Sequence, residues 1–102
     1  MEKRKPSHDL NAFKRFCGST ATLSIKLSAQ MSARKIGFDL ESIAEVINSM
    51  ERRMFYKSMT SFADHTEWQD VYHVPVGRNL IVYLKFTSDI VTEFVVLSFK
   101  EK

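Results

Sequence analysis

The sequence predicts an α+β fold, with N-terminal helices packed on a C-terminal antiparallel β-sheet. Two observations carry this. Apolar residues recur at helical spacing through about the first fifty positions, and from Trp68 onward they recur at period two. Helices first and a meander of strands last is the α+β order.

Ser7 is a suitable N-cap, and Leu10, Phe13, Phe16 and Cys17 follow at helical spacing until Gly18, which predicts a helix over 8–17. Ser19-Thr20-Ala21-Thr22 reads as a connection. A second helix is expected over 26–36, with Leu27, Met31 and Ala33 or Ile36 inward, ending at Gly37. Asp39 caps a third, whose inner stripe is Leu40, Ile43, Ala44, Val46, Ile47 and Met50. Three strands follow. Trp68 to Val74 is the first, and the loop Pro75-Val76-Gly77-Arg78-Asn79 separates it from the next. In the second, Leu80, Val82, Leu84 and Phe86 alternate with Ile81, Tyr83, Lys85 and Thr87. In the third, Val91, Val95, Leu97 and Phe99 form one face and Phe94, Val96, Ser98 and Lys100 the other, with Ser88-Asp89 as the hairpin turn. No repeat or linker interrupts the chain, so residues 1–102 are expected to form a single domain.

Composition narrows the function classes. The chain has 102 residues, 44% hydrophobic and 26% charged, enough for a modest core. The lone cysteine, Cys17, forbids an internal disulfide, and a cytoplasmic setting is expected. No apolar stretch approaches a membrane span, and no apolar segment follows the basic opening residues. The net charge of +3 is unevenly spread: residues 1–57 carry +5 and residues 58–102 carry −2. His8, His65 and His73 lack metal-ligand spacing, and no phosphate-binding glycine loop or nucleophile elbow is present. Neither a metal nor a cofactor is expected.

The unusual segment is 55–73, which interleaves aromatics with Lys, Gln, His and hydroxyls, a palette that stacks bases and holds phosphates. The plainer reading makes Phe55, Phe62 and Trp68 core residues and the polar ones a loop. Period two also sets Tyr83 and Lys85 together on a polar strand face, so that Gln69, Tyr83, Lys85 and Lys100 can share one open sheet surface. An ordinary solvated sheet face has the same pattern.

At these residues the chain resembles the motility quorum-sensing regulator (MqsR) family of bacterial toxins. The matching blocks are Met1-Glu2-Lys3-Arg4, Phe55-Tyr56-Lys57-Ser58-Met59-Thr60, Asp64-His65-Thr66, Trp68-Gln69-Asp70-Val71-Tyr72, Val82-Tyr83-Leu84-Lys85 and Ser98-Phe99-Lys100-Glu101-Lys102. The resemblance implies a RelE-like toxin fold. It also implies a metal-independent, sequence-selective mRNA endoribonuclease cutting at short GC-containing sites such as GCU, acting as the toxin of a type II toxin–antitoxin pair. The implied partners are mRNA and a two-domain antitoxin with a zinc-binding N-terminal domain and a helix-turn-helix C-terminal domain.

The family's active-site Lys, Gln and Tyr fall on Lys57, Gln69 and Tyr83, and Tyr56, Met59, Tyr72 and Lys100 match beside them. One residue departs from the pattern. His73 stands where the family motif has Arg, so either the histidine takes a proton-transfer role or Arg78 restores the charge. His73, Arg78, Lys85 and Lys100 are expected to steer the RNA backbone. The rival expectation is a non-catalytic module of the same fold that binds RNA or the antitoxin. Antitoxin pairing is expected at a sheet edge near the Tyr72–Leu84 hairpin.

Overall fold

The structure, a computed structural model, describes residues 1–102. In chain order it has β1 (Glu2–Lys3), α1 (Leu10–Cys17), α2 (Leu27–Lys35), α3 (Leu40–Ser49), a 3₁₀ turn (Arg52–Met54), β2 (Phe55–Thr60), β3 (Trp68–Val76), β4 (Leu80–Asp89) and β5 (Glu93–Glu101). The five strands form one antiparallel sheet in the order β1-β2-β3-β4-β5. The α+β expectation holds. The three helices lie on one face of the sheet, and the core of 16 buried residues fills the space between.

Helix α1 begins two residues later than the Ser7 cap implies. The Ser7 and His8 backbone N–H groups both donate to the Asp70 carboxylate, at 2.9–3.1 Å, and are therefore committed to the sheet. Asp9 caps the helix instead, accepting from the Asn11 and Ala12 N–H groups. Phe13 anchors α1, stacked on Phe86 at 3.7 Å with Phe94 edge-on to both rings. Gly18 ends the helix at φ −79°, so it is required for space and not for a left-handed backbone. A Cβ there would collide with the Asn48 side chain and the Lys14 carbonyl. Asn48 Nδ2 in turn donates to the Gly18 carbonyl at 2.7 Å and ties α3 to α1. Gly18→Ala is expected to cost about 2 kcal/mol through this overpacking, read as a lower thermal midpoint.

Helix α2 turns a different face inward than the large apolar residues suggest. Ala29 and Ala33 are buried against β5, while Leu27 and Met31 are exposed. Small side chains let the helix backbone sit close to the sheet, and the bulkier pair is left outside. Gly37 ends this helix at φ 91°, as the sequence predicts. In α3 the Asp39 cap and the buried Ile43, Ala44, Val46 and Ile47 follow expectation, Ser42 completes a capping box with Asp39, and only Leu40 stays largely outside.

Strand β2 is the main element that periodicity missed. Its inner face is polar, with Ser58 and Thr60 buried. The N-terminal arm covers that face and satisfies it: Ser7 Oγ bonds Ser58 Oγ at 2.9 Å, and the Met1 amino group donates to Thr60 Oγ1. A bulge at Tyr56 further breaks the alternation. In β5 a second bulge breaks the pairing at Leu97, so Phe94 and Val96 face the core together with Phe99, correcting the two-face assignment of that strand. The β4–β5 turn falls after Asp89, because β4 continues through Ser88-Asp89.

Two further expectations are overturned. Phe62 is wholly exposed on the β2–β3 loop and is not core, whereas Phe55 and Trp68 are half-buried. The Tyr72–Leu84 hairpin is the middle of the sheet, flanked by β2 and β5, so it offers no free edge.

Candidate nucleic-acid interface

The sheet face turned away from the helices collects most of the expected site residues, and strand register explains how. Two rows run across it. In one, His73 pairs with Tyr83 and Tyr83 with Lys100. In the other, Lys57 pairs with Val71, Val71 with Lys85, and Lys85 with Ser98. Met59 and Gln69 are paired one step further along. The bulge in β2 brings Tyr56 onto the same face as Lys57, where its ring stacks on His73 at 4.2 Å and 23°. Lys57, Gln69 and Tyr83, from three different strands, thus share one surface with Tyr56, Met59, His73, Lys85 and Lys100.

Two expected residues do not. Tyr72 alternates to the opposite face, where it is fully buried in the core with its ring edge-on to Phe55. Its hydroxyl has no hydrogen-bond partner, and burial, reinforced by the Asp70 carboxylate, pushes its pKa up to about 12. It packs the sheet and does not reach the open face. Arg78 lies in the turn three residue pairs beyond His73–Tyr83, about 10 Å along the strands. Three residues given no role by the sequence do arrive: Glu2, Arg4 and Lys102.

Cations surround the aromatic row. Arg4 donates to the Tyr56 carbonyl at 3.2 Å with its guanidinium 5.4 Å from the Tyr56 ring, and Lys100 Nζ lies 5.2 Å from the Tyr83 ring. Lys57 Nζ is 5.5 Å from the Tyr56 ring and paired with Glu2 Oε2 at 3.1 Å. This carboxylate is itself largely exposed, so a phosphate can replace it at little cost. Gln69 is buried and donates through Nε2 to Glu67 Oε1 at 3.0 Å, which fixes its amide.

The environment shifts three of these groups. Burial raises the Tyr83 pKa, despite the opposing charge of Lys57, so its hydroxyl stays protonated at neutral pH and is available as a donor. Burial, then Lys100, Lys26 and Lys57, lower the Lys85 pKa, so it releases a proton more readily than a solvated lysine. His73 is lowered by burial, then by Lys102 and Lys57. These are the consequences of crowding cations on a partly desolvated surface.

The site is an open surface and not a pocket. The largest cleft, about 650 Å³, is lined by residues such as Asp9, Lys14 and Arg52, between α1 and the 3₁₀ turn, away from these side chains. Stackable rings flanked by lysines and an arginine on an exposed sheet suit a flexible polyanion with aromatic bases. A single-stranded nucleic acid has that chemistry.

Comparison with known proteins agrees with this class. Residues 5–101 match the family described as motility quorum-sensing regulator, toxin of MqsA. The chain is also 37% identical over 102 residues to the mRNA interferase toxin MqsR of Escherichia coli strain K12, covering all of both chains. The chain belongs to the MqsR toxin family.

Proposed function

We propose that this protein is an mRNA interferase, the toxin of a type II toxin–antitoxin pair, which cleaves mRNA in the cytoplasm without a metal and stops translation and growth. The observation that carries the reading is the meeting of Lys57, Gln69 and Tyr83 on one open cationic face. Full-length similarity to an mRNA interferase toxin supports it. Short GC-containing sites such as GCU are the proposed targets. The proposed partner is an antitoxin with a zinc-binding domain and a helix-turn-helix domain, in keeping with a family described as toxin of MqsA. No helix is long and apolar enough to cross a membrane.

Cleavage proceeds by attack of a 2′-hydroxyl on its own 3′-phosphate, giving a 2′,3′-cyclic phosphate and a free 5′-hydroxyl. Charge builds on the phosphate oxygens in the transition state, and cations and donors aimed there lower the barrier. Lys57 supplies the cation and Tyr83 a protonated hydroxyl donor. Gln69, its amide fixed by Glu67, positions the ribose or a base. Lys85 and Lys100 hold the backbone.

Purified protein incubated with GCU-containing RNA in EDTA is expected to produce fragments with cyclic-phosphate ends. Tight binding with the RNA left intact would overturn the enzyme reading in favour of a non-catalytic binding module. Sequencing the 5′ ends made on brief induction then reports the site preference.

A further inference from the structure

We propose that His73 is the general base of the reaction, taking the proton from the attacking 2′-hydroxyl. The inference rests on the RNA-cleavage reading and adds to it a residue with a proton-accepting role.

The ring stands at the centre of the open face. Tyr56 stacks on one side at 4.2 Å and Tyr83 lies on the other at 6.0 Å, so its plane is held by packing. Its two ring contacts are with these tyrosine rings, which leaves a ring nitrogen to meet a substrate hydroxyl. Glu67 is engaged with Gln69, and Glu2, which a phosphate displaces from Lys57, is a largely exposed surface carboxylate. Of the remaining side chains, imidazole is the one whose ordinary pKa lies near neutrality.

The groups facing His73 keep it unprotonated. Lys57 and Tyr56 approach from β2, Arg4 from the N-terminal arm, Tyr83 and Lys85 from β4, and Lys100 and Lys102 from β5 and its end; Glu2 is the one nearby anion, and Lys57 pairs with it. The excess of positive charge opposes a further cation, in line with the lowered pKa. A neutral imidazole at pH 7 is the form a base requires.

The proton and bond changes balance. O2′ gives its proton to a His73 ring nitrogen and forms a bond to phosphorus. The P–O5′ bond breaks, its electron pair leaves on O5′, and O5′ takes a proton from the Lys85 ammonium. Lys85 is diagonal to His73 across the β3–β4 pair, a separation of about 7–8 Å between backbones. Base and acid can therefore flank a phosphate.

The test is the pH dependence of single-turnover cleavage of a GCU-containing RNA in EDTA, for the wild type, His73→Phe and His73→Ala. Phenylalanine keeps the stack and removes the nitrogen. The wild-type rate is expected to rise with pH through an apparent pKa below the ordinary histidine value. His73→Phe is expected to lose about 10²-fold or more in rate and the acidic limb, with RNA affinity within a few-fold of wild type. Imidazole added to His73→Ala is expected to restore part of the rate. A His73→Phe protein that cleaves near the wild-type rate, or keeps the acidic limb, overturns the proposal and leaves RNA cleavage standing. A wild type that does not cleave overturns the underlying reading and this inference with it.

Discussion

Lys57→Ala is expected to lower the cleavage rate of GCU-containing RNA by about 10²–10³-fold, the usual loss when one preorganised charge-stabilising donor is removed from a developing oxyanion. The ammonium is well placed for this. It lies on the open face, in register with Val71 and Lys85, and its partner Glu2 is a surface carboxylate that a phosphate can displace. Stability should scarcely change, because an ion pair with so exposed a partner contributes at most about 1 kcal/mol. Single-turnover kinetics and thermal unfolding of the same preparation separate the two effects. A variant that retains wild-type cleavage would remove Lys57 from the chemistry. Tyr83→Phe, which takes away only the hydroxyl, is expected to reduce the rate in the same direction while preserving the ring next to Lys100.

Asp70→Ala is expected to cost about 3 kcal/mol of folding stability, or roughly 15 °C in thermal midpoint for a chain of this size. The carboxylate is fully buried and accepts the Ser7 and His8 N–H groups, and its removal leaves these donors unpaired beneath the sheet. Asp70→Asn, which keeps one acceptor oxygen, should fall between the alanine variant and the wild type. The consequence extends to the site. The arm that Asp70 anchors carries Glu2 to Lys57 and Arg4 to Tyr56, so its release should also weaken RNA binding below the melting transition. Thermal unfolding measures the first effect. RNA affinity below the transition measures the second, and faster hydrogen exchange at Ser58 and Thr60, the buried polar residues that the arm covers, reports release of the arm.

Legibility in the sequence followed the strength of local patterns. The third helix was readable because a capping aspartate and a full apolar stripe agree. Strand β4 was readable because Leu80, Val82, Leu84 and Phe86 recur at period two, with Tyr83, Lys85 and Thr87 among the residues between them. Strand β2 was not, because its inner face is satisfied by hydrogen bonds from residues fifty positions away. The inward face of α2 is legible only in part for a related reason: Ala33 and Ile36 face the core as expected, but hydrophobic size marks Leu27 and Met31, whereas the close approach to β5 selects Ala29. For the site, alternation placed Tyr83 and Lys85 together, and family resemblance pointed to Lys57 and Gln69. The same resemblance pointed to Tyr72, which the pleat turns into the core.

Local periodicity and motifs of contiguous residues are enough to set the three helices, the last three strands, the family and the kinds of side chain available for RNA. Only the tertiary structure decided which of those side chains meet. Two bulges set the parity of β2 and β5, register lines up His73, Tyr83 and Lys100, and the buried Asp70 brings the N-terminal arm across the sheet. These are pairings between positions far apart in the chain. A one-residue change in strand phase sends a side chain to the opposite face, so no local pattern can specify them.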